Sequence, residues 1–335
     1  MKIDLHTHIL PERRLDLRER YGDHRFPHVE HYAPCCAKIF IEGEGPRELR
    51  ENVWSPARRI ADCDATGVTL QVLSTVPVMF SYWAKPTDAH DLAKRLNDHI
   101  AGVVAEHPRR FAGLGTLPMQ APALAVEELQ RCVRELRLPG VQIGTHVNDW
   151  NLSDPALFPI FEAAAELGAA VFVHPWEMMG KERMPQYWLP WLVGMPAETS
   201  LAICSIIFGG VLERLPALRI GFAHGGGAFP GSIGRVQHGF DVRPDLCAVD
   251  TRLAPRDYLG RFYVDSLVHD PDALRYLIKL IGAERIALGS DYPFPLGEAR
   301  PGAMIQSMDD LASDVKDRLL FKTALEFLGR TADPP

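Results

Sequence analysis

Eight short apolar runs, separated by longer stretches of helical character, constrain this chain more than any other feature. The runs cover residues 2–5, 68–74, 111–116, 140–144, 169–173, 218–223, 262–265 and 285–289. None alternates strictly between apolar and polar side chains. Near-continuous apolar character is what parallel strands show when both faces of the sheet are covered. Between the runs the spacing predicts helices, among them 87–106, 121–136 and 154–167. Asp154 offers an N-cap oxygen, and Pro155 suits a first turn because it has no N–H to satisfy. Eight strand–helix repeats in 335 residues predict one α/β domain over residues 1–335, a (β/α)8 TIM barrel. A doubly wound open sheet is the alternative. The rhythm breaks once. Residues 11–53 follow the first run without a long helix and carry Pro27, Pro34, Gly43, Gly45 and Pro46. They read as a small insertion after strand 1, lying over the barrel mouth.

Composition excludes some classes of partner. The net charge is -7 and no long run of Lys or Arg occurs, which argues against nucleic acid. A small anionic substrate stays open, because local arginines decide that. The six cysteines form no C-x-x-C pair, and no signal peptide is read at the N-terminus. They are expected as reduced thiols of a cytosolic protein. The longest apolar run, 201–212, is too short to span a bilayer and reads as a buried helix. No membrane partner is expected.

Chemistry concentrates at the ends of the runs. His6 and His8 follow the first, and residues i and i+2 of a strand face the same side. Such a pair alone reads as readily as structural. His174, His224 and Asp291 end later runs, and a barrel gathers those ends at one mouth. Imidazoles with a carboxylate suit zinc or another divalent transition metal. Four ligands, His6, His8, His174 and Asp291, leave a place for water, whose pKa a metal lowers toward neutrality. His224 then serves as a general base beside it. The alternatives are a fifth ligand or a simple hydrogen-bonding group. The fourth run ends in residues 142–146 without a lysine to bridge a second ion, so one metal is favoured over two.

Longer strings extend the pattern: 75–80, 140–144, 188–199, 224–227 and 290–298. Together with the histidines and Asp291 they resemble the amidohydrolase superfamily. Within it they resemble the zinc decarboxylases that act on an amino-carboxymuconate semialdehyde in tryptophan breakdown. The likeness runs over essentially the whole chain, and residues 82–86 and 141–146 are closest to animal members. Glu177, Gly231 and Thr323 depart from the common pattern without touching a candidate ligand. The resemblance implies one zinc per subunit at His6, His8, His174 and Asp291, no organic cofactor, and His224 as the base. It implies Arg47 and Arg235 as partners of a small dicarboxylate substrate. On sequence alone Arg47 is as well read as a solvated charge. Arg235 lies about three helical turns past the sixth run, and in the family the matching arginine comes from a neighbouring subunit. A homodimer is therefore expected, with Arg235 crossing the interface. Trp191 and Phe294 are expected in the pocket wall, although Trp191 also reads as core. The metal ligands alone leave two other readings open: a hydrolase or lactonase of the same superfamily, and a non-catalytic metal-binding scaffold.

Overall fold

Parallel pairing of eight strands, in chain order, builds the fold. In the computed structural model these are β1 (Ile3–Ile9), β2 (Leu70–Thr75), β3 (Phe111–Gly115), β4 (Gly140–Gly144), β5 (Ala170–His174), β6 (Arg219–Phe222), β7 (Tyr263–Asp265) and β8 (Ile286–Ala287). The structure describes residues 1–12 and 15–330. Residues 13–14 of the expected insertion and 331–335 of the expected domain lie outside them. The ring closes between β1 and the segment around β8. Leu5 donates its N–H to the Leu288 carbonyl (2.8 Å), His8 to Tyr292 (2.8 Å), and Asp291 to His6 (2.9 Å). Closure removes the free edges that an open sheet would keep, and it rules out the doubly wound alternative.

The helices between strands cover the outside. They include α1 (Pro56–Thr66), α2 (Pro86–Glu106), α3 (Pro122–Arg134), α4 (Phe158–Leu167), α5 (Met195–Phe208), α6 (Phe229–Val242) and α7 (Pro271–Ile281). Several begin at proline, whose fixed φ and missing N–H suit the first turn. The expected helix from Asp154 starts later, at Phe158. Asp154 instead caps a tight turn, accepting the Ala156 N–H at 2.9 Å. The run 201–212 is likewise not one helix. It stops at Phe208, and Gly210 at φ 63° turns the chain into a separate short helix, Val211–Arg214. The apolar stretch extends the other way. Pro190–Phe208 is long and apolar enough to cross a membrane, with a mean hydropathy of 1.5 and half of it buried in the fold. Ala202, Ile203, Ile206 and Ile207 belong to the core between helices and barrel.

Inside the ring a second core stacks Ile3, Leu5, Leu70, Val72, Leu114 and Phe172. Its floor is the last helix, α8 (Thr323–Phe327), whose Phe327 ring meets Tyr263 at 5.1 Å and Phe172 at 6.4 Å, edge to face. The mouth lies at the other end. There residues of the insertion form an antiparallel sheet of His28–Ala33, Cys36–Phe40 and Arg47–Arg50. Its apolar face, with Ala37, Ile39 and Leu49, packs against Val76, Val78 and Met79 beyond β2.

One irregularity in β1 sets the direction of its histidines. Asp4 pairs with Gln71, but Thr7 pairs with Leu73, so β1 carries one extra residue. A bulge of this kind reverses the in–out alternation. Ile3 and Leu5 point into the barrel below it, and His6 and His8 point in above it. Thr7 points outward instead, where it receives the Arg59 guanidinium (3.0 Å).

Phe327 should carry much of the floor. Phe327→Ala is expected to lower unfolding free energy by about 3–5 kcal/mol in urea denaturation. A loss below about 1 kcal/mol would show that the floor collapses without it.

Candidate metal centre

The strand ends place four ligand atoms in one small volume. His6 and His8 come from β1, His174 is the last residue of β5, and Asp291 follows β8. Their ligand atoms all lie within 4.8 Å of one another. His6 Nε2 stands 3.1 Å from His8 Nε2. Asp291 Oδ1 lies 3.0 Å from His8 Nε2, 3.4 Å from His6 Nε2 and 4.0 Å from His174 Nε2. Gly289 makes room for this crowding, because a Cβ there would come within 2.8 Å of the His6 Cβ and 2.7 Å of the Asp265 Cβ.

The second nitrogen of each ring explains the convergence. His6 Nδ1 donates to Asp265 Oδ2 at 2.7 Å, His8 Nδ1 to the Thr75 carbonyl at 3.1 Å, and His174 Nδ1 to the Pro175 carbonyl at 2.9 Å. With Nδ1 holding the hydrogen, each Nε2 presents a lone pair to the centre. The His174 Nε2 is buried without any hydrogen-bond partner. Three buried lone pairs and a carboxylate facing one another fit a divalent cation, and they fit little else.

The electrostatics agree. Burial, and then the neighbouring His8, His6 and His224, hold the His174 pKa well below the ordinary histidine value. Burial also lowers His8. Burial works against a charged His6, but its bonds to Asp265 and Asp291 prevail and raise it to about 10. Asp291 stays well below the usual carboxylate range, because His224, His6 and His8 outweigh its burial. Without a cation, positive charge therefore collects on His6 beside Asp291.

His224 sits apart from the four. Its Nε2 is 3.8 Å from the other Asp291 oxygen, and its Nδ1 is buried without a partner. Its backbone is left-handed at φ 56°, and Gly225, Gly226 and Gly227 continue at φ 62°, 80° and 62°. Only glycine takes such a run without strain, and a Cβ on Gly227 would strike the Pro196 carbonyl at 2.4 Å. The turn aims two N–H groups at one carboxylate. Asp265 accepts His224 N at 2.9 Å and Gly225 N at 2.8 Å, besides His6 Nδ1 and the Leu267 N–H at 3.1 Å.

Asp265 escaped the reading of the sequence, although it ends the seventh run. A carboxylate at a mouth-side strand end was the available signal. It is fully buried with four donors, so it stays ionised: burial raises its pKa, but His6 more than offsets this.

Above the centre lies a cavity of about 420 Å³, lined by His8, His174, Asp291, Arg47, Trp191 and Phe294 among others. That volume suits a small molecule. The Arg47 guanidinium lies 4.6 Å from the centre of the Trp191 ring and pairs with Glu44. The other Glu44 oxygen takes Lys181 at 3.1 Å. Phe294 faces His8, ring to ring, at 5.6 Å. Arg235 is not brought here. It lies exposed on α6, outside the cavity wall of its own chain.

Asp265→Asn would put an amide N–H against groups that are themselves donors. It is expected to weaken metal retention against a chelator by about 10–100-fold. The chelator competition is read on metal content, with the fold checked by circular dichroism. Wild-type chelator resistance in Asp265→Asn would refute the clamp.

Known proteins show the family. The amidohydrolase family matches residues 3–330. The chain is 60% identical over 329 residues to the 2-amino-3-carboxymuconate-6-semialdehyde decarboxylase of Dictyostelium discoideum, covering 98% of this chain and 92% of that one. It is 38% identical to the enzyme of the same name from Caenorhabditis elegans, covering 98% and 94%. A dihydroxybenzoic acid decarboxylase from Polaromonas sp., solved with bound manganese and 2-nitroresorcinol, shares the fold at a TM-score of 0.78, with 23% identity and 98% and 96% coverage. Nearly the whole chain takes part in each likeness, and this chain belongs to the amidohydrolase family, among its non-oxidative decarboxylases.

Proposed function

We propose that this carboxy-lyase converts 2-amino-3-carboxymuconate 6-semialdehyde to 2-aminomuconate 6-semialdehyde and carbon dioxide, in the kynurenine branch of tryptophan breakdown. The 60% identity to the Dictyostelium enzyme carries the reading, because it spans the mouth insertion as well as the barrel. The proposed metal is one zinc per subunit, held by His6, His8, His174 and Asp291. Three imidazoles and one carboxylate suit zinc, although the same set accepts other divalent ions. When bound, such a cation supplies Lewis acidity and brings the pKa of a water toward neutrality.

The chain's own residues supply the rest. Arg47 offers a planar fork that matches a carboxylate with two parallel hydrogen bonds. Trp191 beneath the guanidinium and Phe294 beside His8 give the cavity apolar walls that exclude water. His224, 3.8 Å from Asp291 Oδ2, moves the proton. The net change breaks one carbon–carbon bond and replaces a carboxylate by a proton, so no oxidant and no organic cofactor enters.

A second carboxylate of the substrate needs a second cation. Arg235 cannot serve its own cavity from the exposed face of α6, so it is proposed to enter that of a partner copy, in a homodimer. Support comes from exposed apolar side chains on the helices that pack together there: Leu192, Val193 and Leu201 on the 190–208 stretch, and Val242 at the end of α6. An interface between copies would cover such side chains. The setting proposed for the enzyme is the cytosol, away from membrane and nucleic acid.

Ultraviolet loss of the carboxymuconate semialdehyde, with carbon dioxide trapped, tests the reaction. Hydrolytic product without carbon dioxide would favour the hydrolase reading, and bound metal without turnover the scaffold. His224→Ala is expected to keep its metal and lose at least about 100-fold in kcat. Near-normal turnover would remove His224 from the chemistry. Arg47→Ala and Arg235→Ala subunits should each be nearly inactive, and mixing them should restore up to about a quarter of the activity, one intact site in a mixed dimer. No recovery on mixing would place both arginines in one subunit's site.

A further inference from the structure

The insertion holds a pair of thiols that the metal centre does not use. Cys35 and Cys36 stand where strand His28–Ala33 turns into strand Cys36–Phe40, with their sulfurs 3.2 Å apart. Cys35 is exposed and Cys36 is covered. Arg50, opposite Cys36 in the antiparallel register, puts Nη1 2.8 Å from its sulfur. Tyr32 and Glu48 complete the cluster, joined by a 2.5 Å hydrogen bond. The Cys35 hydrogen bond, with help from Tyr32 and Arg50, holds the Cys36 thiol below its usual range and leaves Cys35 above it. The pair thus offers two neighbouring thiols, one open to solvent and one covered. No other cysteines of this chain approach each other so closely among the described residues.

Geometry decides what the pair can hold. A disulfide needs its sulfurs at about 2.05 Å and its Cα atoms usually about 4.4–6.8 Å apart. Adjacent residues across a trans peptide hold their Cα atoms only about 3.8 Å apart, so a disulfide here would be strained and easily reduced. A single atom bridging both sulfurs avoids that strain. At an ordinary thiolate bond length of about 2.3 Å, the observed spacing gives an S–X–S angle near ~90°. That angle suits a three-coordinate pyramidal centre better than a tetrahedral ion.

We propose that Cys35 and Cys36 form a binding site for thiophilic trivalent ligands, monosubstituted trivalent arsenicals in particular. The reaction balances without an oxidant. Two As–O bonds break, two As–S bonds form, each thiol proton leaves with oxygen as water, and arsenic stays trivalent. The site sits on the arm that carries the mouth arginine, because Ile39 pairs with Arg47 in the same sheet.

Phenylarsine oxide titrated into the folded, metal-loaded protein tests this by intact mass. One adduct per chain is expected, surviving a monothiol wash and released by a small dithiol. Cys35→Ser and Cys36→Ser should each cut the retained adduct at least tenfold, while Cys204→Ser and Cys247→Ser keep it. Cys35→Ser, at an exposed turn position, reads the site even where Cys36→Ser disturbs the sheet. Failure of the wild-type adduct to survive the monothiol, or its full retention in Cys35→Ser, would overturn the proposal. The readout is bound arsenic and not turnover, so the result is independent of the decarboxylase reading.

Discussion

One buried carboxylate ties the working parts of the barrel together. Asp265 ends β7 and reaches both neighbours of the centre, the ring of His6 from β1 and the backbone of the His224 turn after β6. All its acceptor positions toward these groups are used, so it cannot shift toward one without releasing another. An ionised carboxylate in such a place is tolerated only because every donor around it is fixed. The same interaction that selects the His6 tautomer also holds His224 in a left-handed conformation that a non-glycine residue does not choose by itself. The candidate ligand and the proposed proton carrier are thereby set against one rigid reference.

The mouth is organised on a looser principle. Glu44 bonds Arg47 within the insertion and Lys181 on the loop after β5, so one acidic side chain bridges the two walls of the cavity. Lys181 is half exposed and Arg47 about a third, while Glu44 is largely covered; pairs open to solvent on one side contribute about 0–1 kcal/mol. Under the function proposed above, a substrate carboxylate would take the place of Glu44 at Arg47. The centre below is built to stay still, and the rim above is built to exchange partners.

Much of this was legible in the residues. The eight apolar runs report burial on both faces of each strand, which only a covered parallel sheet provides, and the histidines at their ends follow from that geometry. The bulge in β1 was not legible. The i, i+2 rule puts His6 and His8 on one side, but the one-residue slip that lets Ile3, Leu5, His6 and His8 all point inward depends on pairing with β2. Asp265 was hidden for a related reason: its partners are backbone N–H groups and a ring nitrogen distant in sequence, and neither leaves a local pattern. Asp154 shows the opposite failure. A sound local signal for a helix start was taken over by a turn, because the proline-led helix began four residues later. The second arginine marks a different limit, since the fold of one chain leaves Arg235 exposed on α6 and away from the cavity.

The closure of the ring has a consequence for how the protein comes into being. His6 and Asp291 are joined through the seam where Asp291 N–H meets the His6 carbonyl. The first strand must therefore wait through synthesis of nearly the entire chain before its last neighbour exists, and the helix that floors the barrel leaves the ribosome later still. Until then the histidine pair stands on an unpaired strand edge with its carboxylate partner unmade. Contacts of such long sequence separation form slowly, and half-built sheets expose sticky edges. The full set of four candidate ligands is thus brought together only when the ring has closed.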